Sequence, residues 1–143
     1  MNPIYKLINS KKLFLIAGPC VIEDEHTTFK IAEKIKNICD KLKIPFIFKA
    51  SYKKENRTKL DSFTGPGLTK GIKILQDIKK TLSIPITTDF HNADDIKKAG
   101  HLVDIIQIPA FLCRQTDMLI SAANTKKYIN VKKAPFLSGE SCK

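Results

Sequence analysis

Five short apolar runs, set apart by longer amphipathic stretches, constrain this chain more than any other feature. The runs are Leu13–Ala17, Pro45–Phe48, Ile84–Thr88, Val103–Ile108 and Tyr128–Val131. They are rich in β-branched residues and show little polar alternation, as strands buried on both faces should. Between them the apolar period changes. Ile31, Ile35, Ile38 and Leu42 share one helical face, and Leu68, Ile72, Leu75, Ile78 and Leu82 share another. A weaker helix is expected from about Ala93 to Ala99 and a fourth from about Thr116 to Asn124. Gly65-Pro66-Gly67 interrupts the long connection before the second helix. Strand and helix in strict alternation predict an α/β fold with a parallel sheet and right-handed crossovers. An open doubly wound sheet and a (β/α)8 barrel both satisfy that order. A complete barrel takes about 250 residues, so in the barrel reading four βα units and a fifth strand in 143 residues would be a partial TIM barrel, a single incomplete domain.

Composition narrows the function classes. Hydrophobic residues make up 43% and charged residues 27%, which is globular. No apolar run approaches the about 20 residues of a membrane span. Lys11 and Lys12 precede an apolar run, but Leu13–Ala17 is shorter than a signal-peptide core, and Pro19 before Cys20 does not suit a lipoprotein cleavage site. The expected location is the cytoplasm, with no membrane partner. The net charge of +11 raises nucleic acid as a partner. The lysines are dispersed, however, and the few aromatics do not interleave with them, so no nucleic-acid platform is expected. Solvated lysine-rich helix faces account for most of the charge, and anionic small substrates for much of the remainder. Only two of the 25 basic residues are arginine, Arg57 and Arg114, which makes both candidates for bidentate phosphate binding. The four cysteines, Cys20, Cys39, Cys113 and Cys142, fit neither a zinc-finger spacing nor a disulfide framework.

Polar residues gather just after the strands. Gly18-Pro19-Cys20 follows the first, Lys49-Ala50-Ser51 the second and Asp89-Phe90-His91 the third. Gln107 lies near the end of the fourth, with Arg114 and Gln115 beyond it, and Asn130 and Lys132 belong to the end of the fifth. In a parallel barrel these ends meet at one mouth, where active sites form. Lys49, Lys54, Arg57, Arg114 and Lys132 would bring five cations there, calling for small substrates with several negative charges. Each residue also has a plainer reading. Cys20 could be an inert buried thiol. Asp89 and His91 alternate and so share a face, which suits a metal, a proton relay or an ordinary hydrogen-bonded pair. Cys39 and Cys113 read as core, His26 and His101 as exposed helix ends, and Lys53-Lys54-Glu55 as a charged loop.

The motifs carry a resemblance. Ile16-Ala17-Gly18-Pro19-Cys20-Val21-Ile22-Glu23 resembles the first-strand signature of the phosphoenolpyruvate-dependent synthases. Phe48-Lys49-Ala50-Ser51-Tyr52-Lys53-Lys54-Glu55-Asn56-Arg57 is similar to the loop of the octulosonate-phosphate enzymes, not the Lys-Pro-Arg-Thr loop of the heptulosonate-phosphate enzymes. Gly65-Pro66-Gly67-Leu68, Thr88-Asp89-Phe90-His91, Asn130-Val131-Lys132-Lys133 and the long run Gln107 to Asp117 match the same family.

The resemblance implies a condensation of phosphoenolpyruvate with D-arabinose 5-phosphate that serves lipopolysaccharide synthesis. It implies that Lys49, Ser51, Lys54, Gln107 and Lys132 bind phosphoenolpyruvate, with Lys132, Asp89 and Lys54 in catalytic roles. Asn56, Arg57, Thr58 and Arg114 would bind the sugar phosphate, Arg114 across the interface of a homotetramer. Cys20, where part of the family has Asn, implies the metal-dependent branch, so a divalent Zn, Fe or Mn ion is expected if further ligands are supplied. Thr58 stands where the family usually has Ser. The resemblance fades after Lys133, so residues 134–143 are expected to be a non-family tail. The polypeptide alone is expected to be truncated, poorly folded and inactive. A heptulosonate-phosphate synthase and a non-catalytic half-barrel remnant are the alternatives.

Overall fold

The computed structural model describes residues 3–10, 12–55 and 59–142. Its elements run α1 (Pro3–Asn9), β1 (Leu15–Ala17), α2 (Glu25–Leu42), β2 (Phe46–Lys49), α3 (Leu68–Leu82), β3 (Ile86–Asp89), α4 (Ala93–Ala99), β4 (Ile105–Ile108), α5 (Thr116–Asn124) and β5 (Tyr128–Val131), with short 3₁₀ turns at Gly100–Leu102, Ala110–Leu112 and Glu140–Cys142. All five expected strands and four expected helices are present. The strands begin up to two residues later than the apolar runs do. In two of them, Ile44-Pro45 and Ile84-Pro85 form the turn into the strand instead of the first ladder positions.

The same device leads into β2 and β3. α2 ends at Lys43 (φ 54°) and α3 at Ser83 (φ 53°), each left-handed. Each is followed by Ile-Pro and then the strand. The left-handed residue stops the helix, and the proline lacks the N–H that would continue it. At the other ends, Asp24 accepts from Thr27 N (2.8 Å) to open α2, and Asn92 accepts from Asp95 N (2.7 Å) to open α4.

The sheet order is β1-β2-β3-β4-β5, every pair parallel. A doubly wound sheet reverses its strand order and carries helices on both faces. Here the order never reverses, and the residues of α2, α3, α4 and α5 pack into one core with Phe46, Phe48, Ile86, Ile106 and Ile108 on one side of the sheet. The other side holds a small cluster of Ile47 and Ile105, closed by Ile4 of α1 with Leu7, Phe14, Ile16 and Tyr128 around it. One helix-covered face and one inner face make this a curled half-barrel. Alternation along the strands then places Lys49, Thr87, Asp89, Gln107 and Asn130 on the inner face, above the Ile47–Ile105 floor.

α1 was not anticipated. Seven residues are too few for a reliable period, and it is held by burial of Ile4 (1% exposed) under the inner face.

α3 approaches the end of β2 closely. A Cβ on Gly71 would lie 2.4 Å from Tyr52 Cβ, so no side chain fits there without a shift of the helix. Gly71→Ala should destabilise the chain by about 1–3 kcal/mol through overpacking. Gly139→Ala, where nothing lies within 4 Å, should leave stability unchanged. Urea midpoints of the two variants check the contrast, and equal midpoints would contradict the packing.

A lysine-lined cleft at the carboxyl ends of the strands

Parallel register brings the strand ends to one rim. Asp89 pairs with Gln107, and Gln107 with Asn130, as one row across β3, β4 and β5. Lys49 sits one step lower, beside Thr87. The β1 end is pinned to this rim by close contact, since a Cβ on Gly18 would fall 1.9 Å from Lys49 O. Ile22 N then donates to Ser51 O (3.0 Å). The loop carrying Lys54 is tied at both sides, with Lys54 N donating to Thr64 O (2.7 Å) and Gly67 N to Tyr52 O (3.2 Å). Lys132 N donates to Ile108 O (3.0 Å), which extends β5 by one residue.

These supports surround a cavity of about 430 Å³ lined by Lys49, Lys54, Glu55, Asp89, His91, Gln107, Lys132 and the run Pro109–Leu112. Asp89 is its electrostatic centre. Oδ1 accepts from Lys49 Nζ (3.2 Å) and from Ser51 Oγ, and Oδ2 pairs with His91 Nε2 (3.2 Å). Burial alone would raise the Asp89 pKa. The hydrogen bond from His91, the charge of Lys49 and the hydrogen bond from Ser51 outweigh burial and hold the carboxyl well below the usual carboxylate range. Beside it, Asn130 Nδ2 donates to Gln107 Oε1 (3.1 Å). Behind it, Tyr52 is fully buried and donates to Asp95 Oδ2 (2.7 Å). Burial first, then that hydrogen bond, push the Tyr52 phenol far above its ordinary value, which makes Tyr52 a support and not an acid or base.

The sequence-predicted residues divide into three groups. Lys49, Lys54, Asp89, Gln107 and Lys132 line the cleft together, and Ser51 lies buried directly beneath it. Asn56, Arg57 and Thr58 fall outside the described residues. Arg114 and Cys20 do not line the cleft. Arg114 is exposed and lines a separate cavity with Cys113, Val131 and Lys133. The Ala110–Leu112 turn carries the chain outward before reaching it. Of the five cations expected at the mouth, Lys49, Lys54 and Lys132 line it, Arg114 does not, and Arg57 lies outside the described residues. Cys20 is exposed, which excludes the buried-thiol reading. Among the described residues no group of three or more His, Cys, Asp or Glu side chains is placed to hold a metal. Cys20 by itself does not make a metal site. Cys39 and Cys113 are buried and His26 and His101 exposed, as expected.

Two features of the cleft were missed. Pro109, Ala110, Phe111 and Leu112 form an apolar wall, with Phe111 67% exposed. Its signal was available as an apolar run that directly follows a strand end. Glu55 brings a second carboxylate to the lining.

A lysine-lined cleft at the carboxyl rim of a sequentially ordered parallel sheet is the arrangement of a (β/α)-barrel enzyme, and the chain belongs to the DAHP synthetase I family, whose family model matches residues 7–143. Its relatives narrow this. A protein of Koribacter versatilis named 2-dehydro-3-deoxyphosphooctonate aldolase is 54% identical over 131 residues, covering 92% of this chain and 47% of that protein. Proteins of the same name from Geotalea uraniireducens and Geobacter metallireducens are 48% and 50% identical over 133 residues, covering 93% of this chain and 49% of each. The chain thus spans about half the length of the curated relatives it matches. No helix among the described residues is long and apolar enough to cross a membrane.

The buried Asp89 carboxylate has a pH signature. Its folded pKa is depressed, so the stabilisation it gives is complete above the ordinary Asp range near pH ~4 and is lost as pH falls below it. Asp89→Asn should cost about 3 kcal/mol at pH 7 by leaving Lys49 and His91 without their charged partner. The gap from wild type should narrow as pH drops from 5 towards 3. Urea melts across that range check the prediction, and a gap independent of pH would contradict it.

Proposed function

We propose that the protein carrying this chain condenses phosphoenolpyruvate with D-arabinose 5-phosphate to give 3-deoxy-D-manno-octulosonate 8-phosphate and phosphate, a step that supplies lipopolysaccharide synthesis in the cytoplasm. The observation that carries this reading is the convergence of Lys49, Lys54 and Lys132 on one cavity around Asp89, in a chain about half identical to proteins named 2-dehydro-3-deoxyphosphooctonate aldolase.

In this reading carbon 3 of the enol attacks the sugar aldehyde and forms the new carbon–carbon bond. Water adds at carbon 2, and phosphate leaves by cleavage of the carbon–oxygen bond. The three lysines, with Ser51 and Gln107 beside them, hold the phosphate and carboxylate of phosphoenolpyruvate. They come from β2, its following loop and the end of β5, so they reach the ligand from different sides and fix its orientation. Their charges are set before the reaction begins and stabilise the negative charge that grows during attack. Asp89 keeps the Lys49 ammonium in place and orients the reacting groups. Asn56, Arg57 and Thr58 are assigned to the sugar phosphate, and Arg114, which is exposed and lines a separate cavity, to a phosphate in another subunit of a tetramer. Cys20 is assigned as one thiolate ligand of a divalent Zn, Fe or Mn ion. The other ligands would have to come from beyond the described residues.

The described sheet leaves β1 and β5 each with one unpaired edge. The 143-residue chain alone should therefore give no detectable octulosonate 8-phosphate. A chimera joining residues 1–133 to the remaining half of the Koribacter versatilis relative should form it from phosphoenolpyruvate and arabinose 5-phosphate. It should use erythrose 4-phosphate at least about 100-fold less well, because a site built for one hydroxylated sugar leaves polar groups unpaired with the other. Its bound metal should fall on Cys20→Ala. A chimera that prefers erythrose 4-phosphate, or turns over neither sugar while binding phosphoenolpyruvate, would sink the proposal.

A further inference from the structure

The proposed reaction assigns no role to His91, which lines the cleft in unusually specific surroundings. Its side chain is nine-tenths buried, and Nε2 lies 3.2 Å from Asp89 Oδ2. Nδ1 is buried and has no hydrogen-bond partner among the described residues. The Tyr52 ring meets the imidazole edge-on, with centroids 5.9 Å apart and planes at 75°. Tyr52 is itself locked by Asp95 and packed on Phe90 at 5.7 Å. The ring therefore has one orientation and one partner.

That geometry selects a tautomer. With the proton on Nε2, the ring donates to the carboxylate and only a lone pair is left unpartnered at Nδ1. With the proton on Nδ1, a lone pair would face the carboxylate and an N–H would be buried without an acceptor, the costlier defect. We propose that His91 is a positioning residue of the cleft: its Nε2–H occupies Asp89 Oδ2, so that Oδ1 is left to Ser51 and Lys49 and the direction of the Lys49 ammonium is fixed. The two carboxylate oxygens then have separate duties. Without His91, Oδ2 has no donor, the carboxylate turns towards Lys49, and the ammonium is drawn back from the cavity.

The functional part rests on the reading above, in which Lys49 holds phosphoenolpyruvate. The test separates the two. In the ¹⁵N-labelled 143-residue chain, long-range ¹H–¹⁵N spectra should show the Nε2–H tautomer of His91, and the Nδ1–H tautomer would overturn the proposal. His91→Gln keeps an N–H donor at about the reach of Nε2, whereas His91→Leu removes it while filling space. His91→Leu should raise the apparent titration midpoint of the Asp89 carboxyl ¹³C signal and weaken phosphoenolpyruvate binding on the order of tenfold, the size expected when a residue that orients a ligand-binding group is lost. His91→Gln should restore both towards wild type. Equal effects of the two substitutions would mean packing alone and defeat the proposal, as would no effect of either. If wild type fails to bind phosphoenolpyruvate, the assignment of Lys49 to that ligand falls. The tautomer and the Asp89 titration still decide the role of His91.

Discussion

A single buried carboxylate organises the rim of this half-barrel. Asp89 collects Lys49 and Ser51 from the end of β2 and His91 from beyond β3, joining two neighbouring strand ends above the last ladder bonds. A buried anion is tolerated only when its lone pairs are met, and here three donors meet them. Removing water from this spot also makes each contact electrostatically stronger than it would be at the surface. The Lys49 ammonium is therefore held by the fold, and a ligand does not have to order it.

The scaffold below supplies that rigidity. Two helix ends use the same left-handed stop followed by Ile-Pro to launch β2 and β3. Asp104 then secures the amino end of β3, accepting from Ile86 N (3.0 Å) and from Lys79 (2.6 Å). With the bottom of β3 anchored by one aspartate and the top by another, the strand cannot slip in register. A slip of one residue would turn Asp89 and Thr87 out of the inner face and Thr88 and Phe90 into it. Close approach does the rest. Gly18 lets the first strand end lie against Lys49, and Gly71 lets α3 lie against Tyr52.

Much of this was legible in the residues. Apolar runs and helical periods located the five strands and four helices, although Ile38 and Leu42 of α2 are exposed and β1 and β5 are not buried on both faces as β3 and β4 are. The choice between an open sheet and a barrel was not legible from pattern. It turns on strand order and on which face the helices cover, and both are tertiary. The inner-face residues Lys49, Asp89 and Gln107 were found because polar side chains at the ends of buried strands are costly unless used. Arg114 shows the limit of that logic: proximity in sequence to a strand end does not survive an intervening 3₁₀ turn, and the side chain lines a different cavity. The Pro109–Leu112 wall was passed over because apolar residues carry no chemical flag. The separate roles of the two Asp89 oxygens depend on distances that no sequence contains.

In the proposed function three lysines and the Asp89 network form one anion-binding cleft and are not parts of a generally basic surface. Titrating phosphoenolpyruvate into the ¹⁵N-labelled chain and mapping amide shifts tests this most directly. Saturable shifts should be confined to residues 49–54, 89–91, 107–112 and 130–132, with the lysine-rich outer faces of α2 and α3 silent. Shifts of similar size spread over those helix faces, growing without saturation, would contradict it.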